Sequence, residues 1–113
     1  MAEVQGTVIG IGILLAAVVM FLGPFFGVAD EAMTAAAVIF AATFVVLAIL
    51  HLRYGRLDLA GAHTLAAAGW VLVLLGRSGL EVALGLLALF AGGGYIARVM
   101  LAAANEPPEP APE

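Results

Sequence analysis

The sequence predicts an all-α membrane protein whose four transmembrane helices form an up-down-up-down bundle with short loops. Of the 113 residues, 65% are hydrophobic and only 11% are charged, and a soluble domain of this size cannot bury so much apolar surface. The apolar residues fall into four runs of roughly the 20 residues that a helix needs to cross a bilayer. Backbone groups in lipid must be paired within helices or closed barrels, and these runs are too long for barrel strands.

The first helix is predicted over residues 6–27. It lies in a run without charged residues from Gly6 to Ala29, which at about 1.5 Å per residue is longer than the roughly 30 Å hydrocarbon core. The residues before it lack the positive region and cleavage site of a signal peptide, so the run is predicted to be a permanent span. Pro24 should end or kink this helix, because proline lacks the amide hydrogen and its ring clashes with the preceding turn.

The second and third helices are predicted over residues 31–53 and 59–76. Asp30 is expected to cap the second helix, and Asp58 the third. Gly55 is expected to adopt the left-handed turn that ends the second helix, and the short link makes the two helices antiparallel neighbours. The third run is the weakest span, because many of its residues are alanine or glycine and contribute little transfer energy.

The fourth helix is predicted over residues 80–103. Ser78 and Glu81 have the S-x-x-E spacing of a capping box, in which each side chain accepts a hydrogen bond from a free backbone amide of the other residue. Residues 105–113 alternate proline with glutamate and are predicted to form an acidic, solvated tail.

The arginines predict the orientation of the chain in the membrane. Arg53, Arg56 and Arg98 lie on one side of the predicted bundle and Arg77 on the other, so both termini are expected in the cytoplasm of a multi-pass cell-membrane protein. Arginine without lysine, beside abundant alanine and glycine, resembles the composition expected from a GC-rich genome or from a salt-adapted proteome such as a haloarchaeal one. No basic patch for nucleic acid is present, so the predicted partners are the lipid bilayer and other membrane subunits, including copies of this chain.

Four residues form the candidate polar site. His51 and His63 should lie at similar depth on antiparallel helices, where two imidazoles can ligate haem iron or a transition metal, or relay protons. The favoured interpretation is that both are interfacial histidines bonded to water, headgroups or a carbonyl, because two histidines without further ligands are a weak metal signal. Arg98 follows a long apolar stretch, and it can reach the headgroups, pair with Asp58, or contact a substrate or lipid.

Small residues form the second candidate pattern. In lipid, glycines at about four-residue spacing let helix backbones approach closely, and Gly6-x-x-x-Gly10 is the familiar form. Such faces either pack the bundle itself or form a cavity or groove for a partner helix. The predicted helix-packing residues are Gly6, Gly10, Gly12, Gly61, Gly69, Gly92, Gly93 and Gly94.

The sequence predicts no catalytic residues, no metal site and no cofactor. It contains no cysteine, and we find no nucleophile–base pair, phosphate loop or paired intramembrane carboxylates. The favoured interpretation is therefore a non-catalytic structural or accessory subunit of a larger membrane assembly, which packs against itself or partner chains. The alternatives are an oligomeric small transporter or channel subunit, and a haem- or quinone-linked redox subunit that uses the two histidines.

Overall fold

The computed structural model describes residues 2–107, and over that range the chain is helical with short connections and no strands. All four α-helices are long and apolar enough to cross a membrane. The predicted tail, residues 105–113, lies mostly outside the described residues. The elements are α1 (Ala2–Leu22), a 3₁₀ turn (Gly23–Phe26), α2 (Ala29–Arg53), α3 (Leu57–Leu75) and α4 (Gly79–Ala104).

The connection between α1 and α2 is a proline turn. Helix α1 ends at Leu22, and the single 3₁₀ turn Gly23–Phe26, with Pro24 as its second residue, closes at Gly27, where φ is 70°. Only glycine adopts this left-handed conformation without strain, so the chain can reverse here. We expected Asp30 to be the N-cap of α2, but the helix starts at Ala29 and Asp30 lies within its first turn. Its carboxylate is still favourable there, at the positive end of the helix dipole.

The other two connections agree only in part with those predicted from the sequence. Gly55 has φ 75°, as predicted for the turn after α2. Asp58 does not cap α3: the helix starts at Leu57, so Asp58 lies in its first turn. Before α4, the Ser78 hydroxyl accepts a hydrogen bond from the Glu81 amide at 3.1 Å, but the Glu81 carboxylate bonds the amide of Arg77 instead of that of Ser78. Only half of the expected capping box is therefore formed.

Each helix packs only against its neighbours in sequence. Within residues 2–107, α1 packs on α2, α2 on α3 and α3 on α4, while no Cα atom of α1 lies within 8 Å of a Cα atom of α4. Residues 62, 66 and 69 of α3 contact α4, whereas residues 63 and 70 contact α2. One residue turns a helix by about 100°, so α2 and α4 occupy adjacent faces of α3 and not opposite ones. The four helices consequently form a curved row with an open side between α1 and α4.

Small side chains lie inside this row and large ones outside. The buried side chains are mostly alanine, with Leu47, Leu59, His51 and His63 as the larger exceptions. A soluble protein places its large apolar residues inside, since that burial drives folding in water. Lipid removes this drive and leaves close packing, which small residues permit. The most exposed large side chains, each more than two-thirds accessible, include Phe21, Phe25, Phe26, Leu57, Leu75, Leu80 and Phe90.

Helix α3 is the centre of the packing. It is the least apolar of the four spans, yet it has the most buried residues, because it contacts both α2 and α4. A Cβ atom on Gly69 would lie 2.6 Å from the Gly85 carbonyl oxygen and 2.6 Å from the Leu89 amide nitrogen. The alanines and glycines that weaken α3 as a lipid-facing span are thus the residues that let two neighbours pack on it.

Replacement of Gly69 by alanine should therefore destabilise the protein. The new methyl group meets backbone atoms that cannot rotate away, and overpacking of this kind costs about 1–3 kcal/mol. Gly61→Ala on the same helix is the matched control, because a Cβ there has no neighbour within 4 Å. It should leave stability unchanged or raise it slightly, since alanine favours helix. Unfolding of the purified protein in detergent, followed by circular dichroism, measures both. Equal effects would contradict the close approach of α3 and α4.

Candidate functional site

Two buried histidines stack where α2 ends and α3 begins. His51 lies in the last turn of α2 and His63 in the second turn of α3, and the tight turn at Gly55 brings these segments together. Their ring centroids are 4.8 Å apart, with 25° between the ring planes, and each residue is only 2% exposed. The structure thus brings together the two histidines that the sequence placed at similar depth.

The hydrogen bonds of the two rings differ. Nδ1 of His63 lies 2.7 Å from the Leu59 carbonyl oxygen, which can only accept, so Nδ1 carries a hydrogen. In the neutral ring, Nε2 of His63 is then an acceptor. Neither ring nitrogen of His51 has a hydrogen-bond partner among the described residues. An unpartnered buried polar group costs free energy and requires an explanation.

A lateral cleft of about 240 Å³ opens between α1 and α4, next to the histidine pair. It exists because these two helices do not pack on each other. His63 lines the cleft, and the Phe44 ring packs against His63 with centroids 5.9 Å apart. The cleft walls are otherwise almost entirely apolar: Gln5, Ile9 and Ile13 of α1, Phe40, Thr43 and Leu47 of α2, and Ile96 and Met100 of α4.

The histidine pair does not have the arrangement of two axial haem ligands. Axial imidazoles lie on opposite sides of the macrocycle, whereas these rings stack on each other and leave no space for it. The described residues also contain no group of three or more His, Cys, Asp or Glu side chains placed to hold a metal ion. The arrangement is instead suited to accept or donate a hydrogen bond inside an apolar cleft.

Asp58 forms a second polar cluster on another face of α3. The Arg56 guanidinium donates two hydrogen bonds of 3.2 Å to the carboxylate, and the Tyr95 hydroxyl of α4 donates one of 2.8 Å. The hydrogen bond to Asp58 raises the pKa of Arg56 above its usual value. Arg98 does not pair with Asp58; it lies exposed on α4, three residues after Tyr95. The four residues of the predicted polar site therefore belong to at least two separate places.

The predicted helix-packing glycines also divide into two groups. Gly12 meets the Thr43 side chain of α2, Gly69 meets Gly85, and Gly92 approaches the Ala62 carbonyl oxygen of α3. The remaining five have open space where a side chain would be, so their role in packing stays a prediction about contacts outside this chain. They are Gly6, Gly10, Gly61, Gly93 and Gly94.

Sequence reasoning missed three residues that organise these sites. Gly85 faces Gly69, Tyr95 bonds Asp58, and Phe40 stacks on Trp70 with centroids 5.9 Å apart. An antiparallel register for α3 and α4 would have placed Tyr95 at the depth of Asp58. The rotation of each helix about its axis was the missing information.

The chain shows no match to a protein-family model, a curated protein or a solved structure. Its class follows from the fold alone: the four candidate spans indicate a multi-pass membrane protein.

Replacement of His51 by leucine should leave the free energy of unfolding unchanged or raise it by about 1–2 kcal/mol. The substitution removes two unpartnered buried nitrogens, and burial of such groups costs about 1–3 kcal/mol, against which the lost ring stacking is smaller. His63→Leu is the comparison, and its free energy of unfolding should rise less, because Nδ1 of His63 is already bonded to the Leu59 carbonyl. Thermal unfolding in detergent measures both. A marked loss of stability in His51→Leu would mean that His51 has a polar partner.

Proposed function

We propose that this protein is a non-catalytic structural or accessory subunit of a membrane assembly, formed with copies of itself or with partner chains. The observation that carries the proposal is the outer face of α1. Gly6, Gly10 and Ala17 are exposed and lie on one side of this helix. Gly10 is two residues from Gly12, which packs on α2, and two residues turn a helix by about 200°, so the exposed face is directed away from α2.

The contacts inside the chain support this proposal. Gly69 with Gly85, and Gly92 with Ala62 and Ala66, hold α3 and α4 together through the close approach of small residues. Van der Waals packing of this kind is the main source of helix association in lipid. The outer face of α1 offers the same chemistry at the end of the row, where no helix of the described chain covers it.

We further propose that the helices cross the cell membrane in up-down-up-down order with both termini in the cytoplasm. Arg53, Arg56 and Arg98 are exposed, and the hydrogen bond from Tyr95 to Asp58 brings the last part of α4 to the beginning of α3. These three arginines therefore share one end of the molecule. Arg77 belongs to the other end, so the positive-inside rule favours the first end as cytoplasmic.

The alternative functions receive less support from the described chain. A transporter or channel needs a polar path across the bilayer midplane. Here His51, His63, Asp58 and Tyr95 gather at one end. Among the described residues, the polar groups at helix contacts farther along the bundle are the Thr43 hydroxyl, which is bonded to its own helix, and the Trp70 indole, and two such groups do not form a polar path. A haem-linked redox role is disfavoured by the stacked rings.

The double substitution Gly6→Leu/Gly10→Leu should disperse the assembly. Leucine side chains would hold a partner helix away from the α1 backbone. A Cβ atom at either position has no neighbour within 4 Å in the described chain, so the subunit itself should fold normally. Native mass spectrometry of the protein extracted in mild detergent from its own membranes measures the change. We expect the fraction in the complex to fall at least tenfold.

Gly79→Leu is the matched control for this experiment, because Gly79 is also an exposed helical glycine with open space around it and is not one of the predicted packing residues. It should leave the assembly intact. An unchanged oligomer or partner set in the double variant would refute the proposal that the outer face of α1 is the interface, and equal dispersal by Gly79→Leu would point to a nonspecific effect.

Single introduced cysteines test the topology without background, since the chain has none. Ser78→Cys and Glu106→Cys place thiols at exposed positions at opposite ends of α4. In sealed cells, a membrane-impermeant maleimide should label Ser78→Cys and spare Glu106→Cys. Labelling of Glu106→Cys alone would invert the proposed orientation, and labelling of both would mean that α4 does not span the membrane.

A further inference from the structure

We propose that the cleft between α1 and α4 binds a lipid-soluble molecule with a hydroxyl group, which donates a hydrogen bond to Nε2 of His63. The ligand class is a lipophilic alcohol or phenol, such as an isoprenoid alcohol or a quinol. This binding site goes beyond the proposed assembly role and does not depend on it.

The hydrogen bond of His63 to Leu59 determines that the ligand must offer a hydrogen-bond donor to this side chain. The Leu59 carbonyl holds the hydrogen on Nδ1, and the neutral ring therefore presents a lone pair at Nε2. His63 is 2% exposed and lines a cleft whose walls are mostly aliphatic and aromatic. The other polar side chains of the lining are Gln5 and Thr43, and the Thr43 hydroxyl already donates to the Ile39 carbonyl oxygen. Such surroundings favour a ligand that is apolar except for one O–H group, because further polar groups would find few partners.

The size and the opening of the cleft fit the head of a larger molecule. Its volume is about 240 Å³. An engineered apolar cavity of about 150 Å³ binds benzene, so a substituted ring or a few isoprenoid carbons can enter this one. A longer tail would leave between α1 and α4, whose backbones are farther apart than those of packed helices and so leave a way out to the bilayer.

The depth of His63 also fits such an amphiphile. His63 is six residues after Leu57, the first residue of α3, which corresponds to about 9 Å along the helix axis. Lipophilic alcohols keep the hydroxyl near the membrane interface and the tail in the hydrocarbon core, because burial of an unbonded hydroxyl is unfavourable. The cleft therefore places its acceptor where the ligand's hydroxyl would lie in the free bilayer.

His51 has a positioning role in this arrangement. Its ring stacks on His63 at 4.8 Å, and the Phe44 ring packs at 5.9 Å, so His63 is held between neighbours while Leu59 holds Nδ1. The direction of Nε2 is consequently set before the ligand enters. Such preorganisation lowers the entropic cost of binding.

The test compares each alcohol with its own methyl ether. We would titrate purified protein in nanodiscs with a decyl-substituted hydroquinone, kept reduced under argon, and its dimethyl ether, and with geranylgeraniol and its methyl ether. Trp70 is the single tryptophan, and its stacking partner Phe40 lines the cleft, so Trp70 emission reports occupancy. At least one alcohol should bind, and at least tenfold more tightly than its ether. Binding of neither alcohol, or equal binding of alcohol and ether, overturns the proposal.

Two variants locate the site. In His63→Phe the preference for alcohol over ether should disappear. In Ile9→Phe, which fills the cleft from α1, affinity for the alcohol should fall at least tenfold. Ile11→Phe is the matched control: Ile11 is 53% exposed on α1 and does not line this cleft, so binding should be unchanged. If His63→Phe does not fold, the comparison of Ile9→Phe with Ile11→Phe still tests the site. Equal affinity of these two variants for the alcohol would show that the ligand does not bind in this cleft.

The results also separate the two ligand sources and the two proposals. Preference for the hydroquinone identifies a quinol site, and preference for geranylgeraniol identifies an isoprenoid-alcohol site. Gly6→Leu/Gly10→Leu should retain ligand binding, because neither glycine lines the cleft. The proposal of the assembly interface and the proposal of the ligand site can therefore each be wrong without affecting the other.

Discussion

The close approach of the α3 backbone to α4 is the contact on which the rest of the structure depends. Gly69, Gly85 and Gly92 let the two helices meet backbone to backbone, and Ala62 and Ala66 complete the α3 side of this contact. In lipid there is no hydrophobic drive to hold helices together, so dense van der Waals contact has to provide the association energy. Because α3 meets α2 through an adjacent face, the same contact also sets the curvature of the row. A larger residue at the contact between α3 and α4 would move α4 and change the shape of the open side between α1 and α4.

The helices themselves could be predicted from the sequence, because each is a long apolar run and the breaks between runs have local causes. Pro24 cannot continue α1, and Gly55 adopts the positive φ that ends α2. These effects act within a few residues and leave clear marks in the sequence. The capping residues could not be predicted as exactly, because Asp30 and Asp58 each lie within the first turn of a helix and do not precede it. An aspartate is favourable at either position, so composition cannot distinguish them.

The partners of each residue could not be predicted in the same way, because they depend on the rotation of each helix. Gly6-x-x-x-Gly10 is the most recognisable packing motif in the chain, yet it contacts no helix of the described chain, while Gly85 lies at a close contact with the α3 backbone without such a motif. Glycines are frequent in membrane helices for several reasons, so spacing alone does not show which face is covered. The histidines could be placed at similar depth because one short turn separates their helices. Their direct stacking depends on side-chain directions that spacing does not contain.

The open side of the row and the outer face of α1 are distinct consequences of this geometry. Ile9 and Ile13 face the cleft, Gly12 faces α2, and Gly10 faces outward, so one helix has three different faces over two turns. A partner helix on the outer face of α1 would leave the cleft accessible between α1 and α4. The same partner would fix α1, which in the described chain is held laterally by α2 alone. The width of the cleft depends on the position of α1. In the proposed assembly, a partner on the outer face of α1 would therefore stabilise the walls around His63 without contacting it, which couples the two proposals physically.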